Sequence, residues 1–398
     1  MHIALIQPDS PYLGTPLAFP SLGLLYISAY LKKSGFKTDF YDLTGGIELP
    51  EIKADIVAFS CQITQFQEVL KLKERCKGKF YIGGPFATHS PEECTGFKVI
   101  KGEGEIPFMK ELGIDNECKY VDPNFFPDWE AIDLSRYGYS LEGKRCINLM
   151  TKRGNCPYHC TFCAKQETGK SPLRFRTASN VISEIHYLRD KGFGAIAIYD
   201  DDVLINKKRD YEIFSELKKL SMPYRCMTRT NLATREDLQM LKNTGCAEVA
   251  VGVESADPYI HNIVCNKGTT IEQDTKFVQN CKEIGLRVKT YIIIGLPSES
   301  ISSVERTKRW LLTNKPDNFD ISVFTPYPGS YIYANKGKYD IQWDEEELKK
   351  VWYSGEAQYG SCAVSTSNLS SKKILELKGD LETGRGKAGS TAYWCPLV

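Results

Sequence analysis

The chain has 398 residues, 42% hydrophobic and 25% charged, enough for two or three domains that each bury a core. Fifty-one Lys and Arg against fifty Asp and Glu leave a net charge of +1, which supplies no global attraction for nucleic acid or an anionic membrane. No apolar run approaches the roughly 18–20 residues that span a bilayer, and no basic leader with a cleavage site opens the chain, so a cytoplasmic protein with reduced cysteines is expected.

Residues 1–115 alternate β-rich runs with helical patterns. Strands are expected at 2–7, 37–42, 55–61, 79–83 and 97–101. Ser21 can cap a helix whose Leu22, Leu25, Tyr26 and Ala29 recur at helical spacing, with Gly35 past its end, and another helix starts near Thr64. This α/β alternation predicts a doubly wound, Rossmann-like parallel sheet with its ligand crevice at the carboxyl ends of the strands. Those ends carry Ser60 and Thr64, then Gly83-Gly84-Pro85, then Gly102-Glu103-Gly104-Glu105. One glycine turn alone is as well explained by a tight corner. Three on one rim favour close approach to a flat, sizeable ligand. A dinucleotide fits less well, because no G-x-G-x-x-G follows the first strand. Residues 116–143 lack periodicity and read as a linker whose aromatics pin it to a surface.

From 144 to 330 the alternation resumes with a longer period. Strands are expected at 146–151, 195–200, 224–230, 248–253, 289–294 and 319–324, with helices at 179–191, 208–220, 235–243, 271–284 and 302–313. Such a series of βα units fits a partial TIM-like (βα)6 barrel, whose functional groups gather on loops at the carboxyl ends of its strands.

The loop after the first of these strands reads Cys156-Pro157-Tyr158-His159-Cys160-Thr161-Phe162-Cys163. Three thiolates are one short of the four that close a 4Fe-4S cluster, and the iron left over is open to a small molecule. A zinc site would need a fourth ligand, and no second C-x-x-C or H-x-x-x-H pair is present, although His159 offers one alternative. A redox dithiol leaves the third cysteine unexplained. A site-open cluster accounts for all three.

The C-x-x-x-C-x-x-C spacing with Phe162 before the last cysteine resembles the cluster motif of radical S-adenosylmethionine (SAM) enzymes. Tyr199-Asp200-Asp201-Asp202, Thr228-Arg229-Thr230, Gly252-Val253-Glu254-Ser255, Gly295-Leu296-Pro297-Ser298-Glu299 and Thr325-Pro326-Tyr327-Pro328-Gly329-Ser330 follow in the family's order. In the first region Pro20-Ser21-Leu22-Gly23-Leu24, Gly83-Gly84-Pro85 and Gly102-Glu103-Gly104-Glu105 are similar to the B12-binding domain of the cobalamin-dependent branch. The D-x-H-x-x-G motif that gives cobalt an axial histidine is absent, and none of the five histidines stands in such a context.

The resemblance implies that Cys156, Cys160 and Cys163 bind a 4Fe-4S cluster whose open iron takes SAM. It places Phe162, Asp200, Asp202, Arg229, Glu254, Ser255, Leu296 and Tyr327 around SAM, and Ser60, Thr64, Gly83, Gly84, Gly102, Glu103, Gly104 and Glu105 around cobalamin. The implied activity is methyl transfer to an unactivated carbon through a 5′-deoxyadenosyl radical and methylcobalamin. The alternatives are a rearrangement or oxidation on the same apparatus, a first domain that no longer binds cobalamin and, more remotely, a non-catalytic metal-stabilised module. The implied partners are an organic substrate and an electron donor such as flavodoxin or ferredoxin. Residues 331–398 read as a substrate-selecting or tail segment with helices at 344–353 and 372–381. Cys362 and Cys395 there are candidate hydrogen-atom donors.

Overall fold

The computed structural model describes residues 1–10, 14–114, 117–164, 171–348 and 362–383. Strands β1 (His2–Gln7), β2 (Lys37–Asp42), β3 (Ile52–Ser60), β4 (Cys76–Gly83) and β5 (Lys98–Val99) form a parallel sheet in the order β2-β1-β3-β4-β5. Period-two alternation sends Ile3, Leu5, Ile56 and Tyr81 to one face, against α1 (Leu22–Lys33) and α4 (Glu105–Glu111). Ala4, Ile6, Val57 and Ile82 line the other, against α2 (Phe66–Glu74) and α3 (Pro85–His89). The sheet is thus doubly wound, as expected. β3 and β4 begin at Ile52 and Cys76, before the expected 55 and 79, because Ile52↔Cys76 pairing extends them through residues without apolar alternation. Gly78 permits the irregular register there: a Cβ would lie 2.4 Å from the Ala54 carbonyl oxygen.

The second sheet runs β14-β13-β12-β11-β10-β7-β6. Its members are β6 (Tyr139–Leu141), β7 (Lys144–Leu149), β10 (Ala195–Ile198), β11 (Tyr224–Met227), β12 (Cys246–Glu254), β13 (Val288–Ile294) and β14 (Asn318–Val323). All pair in parallel except β6, which is antiparallel to β7. A small antiparallel pair, β8 (Lys152–Arg153) with β9 (Arg174–Phe175), brackets the cysteine loop. With β14 and β6 as its edges, the sheet is a partial barrel open on one side.

Helices α5 (Ala178–Asp190), α6 (Lys207–Lys219), α7 (Arg235–Asn243), α8 (Ile271–Ile284) and α9 (Ile301–Asn314) cover its outer face through a core that includes Ile147, Ile196, Val249, Val251 and Ile292. Each helix starts at a side-chain cap: Thr177, Asn206, Thr234, Thr270 and Ser300 accept a backbone N–H of the first turn. No helix among the described residues is long and apolar enough to cross a membrane.

The inner face of the barrel is built from both halves of the chain. Phe19, in the segment between β1 and α1, contacts Tyr199 edge-on at 5.5 Å and Tyr139 at 5.5 Å, and packs with Ala250, Tyr291 and Met227. Two aromatics of the linker region are also fixed in place: Trp129 donates to Glu184 at 2.8 Å, and the Tyr137 hydroxyl donates to Asp42 at 2.5 Å. Beyond the barrel, α10 (Tyr331–Ala334), β15 (Gln342–Trp343), α11 (Glu345–Leu348), β16 (Val364–Ser365) and α12 (Ser371–Thr383) return to the main core through Ile332, Trp343, Leu348, Val364 and Ile374. Part of the helix expected at 344–353 lies outside the described residues, as does Cys395.

Candidate active site

The cysteine loop leaves β8 through Gly154, whose φ is +94° and where a Cβ would lie 2.1 Å from the Pro172 carbonyl oxygen, so only glycine closes this turn. Thr161, between two of the cysteines, anchors it: its N–H donates to the Cys265 carbonyl at 3.0 Å and its own carbonyl accepts from Ile332 at 3.0 Å. Asn266 donates to the His159 carbonyl at 3.1 Å, and the His159 side chain is exposed.

Two cations stand beside the buried Cys160. The Arg229 guanidinium lies 3.6 Å from its Sγ and 3.8 Å from the centroid of Tyr158. Lys267 pairs with Glu254 at 2.5 Å, and its ammonium sits 5.9 Å over Phe162. Burial works against the Lys267 charge, but Glu254 and Cys160 outweigh it and hold its pKa above that of an ordinary lysine. The pair explains Gly252, where a Cβ would lie 2.1 Å from the Glu254 carboxylate and 2.5 Å from the Lys267 ammonium. Glu254 itself takes a positive φ of 64°, which turns it back over the strand end.

Cys156 donates to Asp202 at 3.6 Å; burial, then the Asp202 charge, push its thiol up to about 12. Iron binding displaces such a proton outright. Asp202 is raised by burial, with Lys152 opposing, and the Lys152 ammonium donates to its carbonyl at 2.5 Å. Asp200 faces the other way, accepting from the Thr151 N–H at 2.8 Å and from its hydroxyl. Ser255 points behind the site, 3.4 Å from Thr307 on α9. Leu296 is buried in the core, Phe162 and Tyr327 are half-buried, and Cys362, pushed up to about 11 by burial, donates to the Val364 carbonyl at 3.2 Å.

The loop that carries Leu296 is held by Glu299, which accepts from the Gly295 N–H at 2.6 Å. Burial raises the Glu299 carboxyl to about 8. The folded chain therefore binds this proton more tightly than the unfolded chain. Its contribution to stability is whole below the ordinary carboxylate range and is lost as pH rises through about 8. Urea unfolding of the wild type should show an extra downward slope of up to about 1.4 kcal/mol per pH unit between pH 5 and 8, and Glu299→Gln should remove it.

The glycine rim of the first sheet faces the cysteine loop. Glu103 pairs with Arg174 at 2.6 Å and with Arg153 at 3.4 Å, and Glu105 pairs with Arg153 at 2.7 Å. Arg153 also lies 4.6 Å over the Tyr26 ring. These contacts tie the rim to β8 and β9, the two strands that bracket the loop. Thr88 braces the rim, donating to the Gly84 carbonyl at 2.9 Å and accepting from the Gly102 N–H at 3.0 Å. Gly84 has φ +93°, and a Cβ there would lie 2.8 Å from the Cys61 carbonyl oxygen. At Gly83 the nearest atom to a Cβ is 3.5 Å away; at Gly104 it is the flexible end of Ile27, at 2.9 Å. Ser60 ends β3 beside Gly83.

These residues fit the cofactors implied. Among the described residues no three His, Cys, Asp or Glu side chains converge as for a single metal ion; a cluster, in which each thiolate binds its own iron, does not require them to. The flanking Arg229 and Lys267 offset thiolate charge, and the buried Arg229 Nε has no hydrogen-bond partner, a donor suited to an incoming carboxylate. On the rim, the buried Gln7 Oε1 and Thr64 Oγ1 also lack partners, which suits a ligand edged with amides such as cobalamin. Sequence reasoning missed Lys267, Arg153 and Arg174. Their partners lie 13 to 71 residues away, and a lone cation in a loop has no periodic signature. The nearest signal was Lys267-Gly268 following the Glu254 strand.

The Radical SAM superfamily model matches residues 152–311, and the B12 binding domain model matches residues 15–110. The anaerobic magnesium-protoporphyrin IX monomethyl ester cyclase of Rubrivivax gelatinosus is 30% identical over 395 residues, covering 85% of this chain and 70% of the relative. An uncharacterized methyltransferase of Pyrococcus horikoshii is 27% identical over 376 residues, covering 81% of each. The structure of the radical SAM methyltransferase TsrM from Kitasatospora setae, with cobalamin and a [4Fe-4S] cluster bound, superposes with a TM-score of 0.66 at 16% identity, over 86% of this chain and 80% of that one. Both matched domains, their order and the cofactor-compatible loop and rim agree: the chain belongs to the cobalamin-dependent radical SAM enzymes, whose cofactors are a [4Fe-4S] cluster, SAM and cobalamin.

Proposed function

We propose that the chain is a methyltransferase acting on an unactivated carbon. The observation that supports this reading is the ion pairing of Glu103 and Glu105 on the glycine rim with Arg153 and Arg174 on the strands that bracket the cysteine loop, as two cofactor sites facing one another would require. When bound, the reduced cluster and SAM supply a 5′-deoxyadenosyl radical, and methylcobalamin supplies the methyl group. In this reading Cys156, Cys160 and Cys163 hold the cluster, and Arg229 and Lys267 orient the SAM carboxylate. Glu254 positions Lys267, and Asp202 and Phe162 close the site around SAM. Asp200, Ser255, Leu296 and Tyr327 act from behind, by setting the loops. Ser60, Thr64, Gly83, Gly84, Gly102 and Gly104 form the cobalamin rim, while Glu103 and Glu105 hold it to the barrel. Residues 1–115 are the cobalamin unit, 116–143 the linker, 144–330 the radical SAM unit and 331–398 the substrate-selecting segment. Phe19, Tyr199, Met227 and Tyr291 line an aromatic chamber that suits a flat or apolar substrate.

The Rubrivivax relative, named a cyclase, supports a second reading in which the same apparatus catalyses a reaction other than methylation. One experiment separates the two. The cluster-loaded, cobalamin-loaded protein is incubated with SAM, reductant and a panel of candidate substrates, and products are measured by mass spectrometry. Methylation yields 5′-deoxyadenosine and S-adenosylhomocysteine in equal amounts, because cobalamin is remethylated by a second SAM. Rearrangement or oxidation yields 5′-deoxyadenosine without stoichiometric S-adenosylhomocysteine. Absence of both with a fully loaded cluster would refute both.

A further inference from the structure

Arg229 and Lys267 stand beside Cys160 but come from different loops, so something must hold the two loops in step. One buried carboxylate reaches both. Asp274, in the first turn of α8, accepts the Thr230 hydroxyl at 2.5 Å through Oδ1 and meets His261 Nε2 at 2.9 Å through Oδ2. Asp274, His261 and Thr230 are all buried. Thr230 directly follows Arg229 in the chain.

His261 belongs to a π-helical turn, Ile260–Val264, closed by the Cys265 N–H on the Ile260 carbonyl at 2.8 Å; such turns are rare and occur mostly at functional sites. The His261 carbonyl accepts the Lys267 N–H at 3.4 Å, and the Thr269 hydroxyl lies 3.3 Å from the ring nitrogen that meets Asp274. His261 thus gathers the loop that carries Lys267, with a contact at that residue and another just past it. The two loops then bond to each other. The Arg229 guanidinium donates to the Lys267 carbonyl, and the Asn231 amide donates to the Gly268 carbonyl at 3.2 Å.

An acidic residue in the first turn of a helix is favoured by the helix dipole whatever surrounds it. That is reason enough for Glu272, which is exposed in the same turn. It does not account for an acid withdrawn from water, whose burial is costly unless its oxygens are filled, and here they are filled by side chains from two other segments. On the functional reading above, in which Arg229 and Lys267 orient the SAM carboxylate, we propose that Asp274 is the positioning residue for both cations. It acts through Thr230 and His261, which fix the backbone on either side of the site. Because one carboxylate serves both loops, its loss loosens both cations together.

The test measures equilibrium binding of radiolabelled SAM to the cluster-loaded full chain, at matched iron content and with the cluster oxidised so that nothing turns over. Asp274→Ala should raise the Kd about tenfold or more, as loss of an orienting partner does at a metal site. Asp274→Asn keeps the shape, can accept from His261 while donating to the Thr230 hydroxyl, and should stay within about threefold of wild type. The control is Asp237→Ala. Asp237 is also a buried first-turn acid, on the preceding helix α7, but its partners Lys207 and Tyr211 lie on α6. Its loss should lower stability in chemical denaturation and leave the Kd for SAM unchanged, which separates a positioning acid from a merely stabilising one. Thr230→Val, which keeps its shape and loses only the hydroxyl, should raise the Kd about threefold, and it decides the matter if Asp274→Ala takes up no cluster. An unchanged Kd in Asp274→Ala or, failing that variant, in Thr230→Val would overturn the proposal and leave the SAM site standing, as would an equal rise in Asp237→Ala. A loss in Asp274→Asn as large as in Asp274→Ala would assign the effect to the missing charge and overturn the positioning role. A wild-type chain with a full cluster that binds no SAM would remove the functional reading and the proposal with it.

Discussion

Cys160→Ala will leave a folded chain that forms no 5′-deoxyadenosine above the level of cluster-free protein. Loss of an outer-shell partner costs a metal site roughly 10–100-fold, and a thiolate that binds iron directly has more to lose. Iron per chain after anaerobic reconstitution should fall from about four, the content of a full cluster, toward zero. Cys281→Ala supplies the control. That thiol is also buried, but it lies on α8 in the hydrophobic core, so its loss should lower stability and leave the iron content unchanged. Iron and product retained in Cys160→Ala would exclude the assigned cluster site.

Lys267→Met should be the most destabilising single change near the site. Lys267 and Glu254 are both buried, and removing the ammonium leaves a carboxylate in the interior without its counter-charge. Breaking a buried pair in this way costs about 3–5 kcal/mol. Pairing it with Glu254→Gln should recover most of that stability in chemical denaturation, because the stranded charge is gone. The double variant should still bind SAM more weakly than wild type, since the cation beside Cys160 is missing. Recovery of stability without recovery of SAM binding separates the ligand role from the folding role. A cost below about 1 kcal/mol for the single variant, the range of exposed pairs, would show that the pair is solvated.

What could be read from the residues follows the distance over which each signal acts. The cysteine loop was legible because its candidate ligands are local: Cys156, Cys160 and Cys163 lie within one short stretch. The strands expected at 2–7, 289–294 and 319–324 lie close to β1, β13 and β14, and the helices expected at 235–243, 271–284 and 302–313 lie close to α7, α8 and α9, whereas Ser21, the expected cap of α1, makes no side-chain cap hydrogen bond. The long-range contacts were not legible. Glu103 and Glu105 read as ligand contacts on a glycine turn, and only the fold shows them paired with Arg153 and Arg174. Asp200 and Asp202 are neighbours in an acidic run, yet one ties down Thr151 and the other meets Cys156. The π-turn at Ile260–Val264 and the short strands β6, β8 and β9 carry no periodicity long enough to detect.

Phe19 comes from the B12-binding half of the chain, yet it stands inside the barrel among Tyr139, Tyr199 and Tyr291. The inner face of the barrel therefore has no cover of its own at that point; it borrows one. Any shift of the first domain relative to the barrel moves that cover, so the packing of Tyr139, Tyr199 and Tyr291 and the position of the first domain are mechanically geared to each other. A barrel cut free of its partner would retain a cysteine loop but not an inner face packed in the same way.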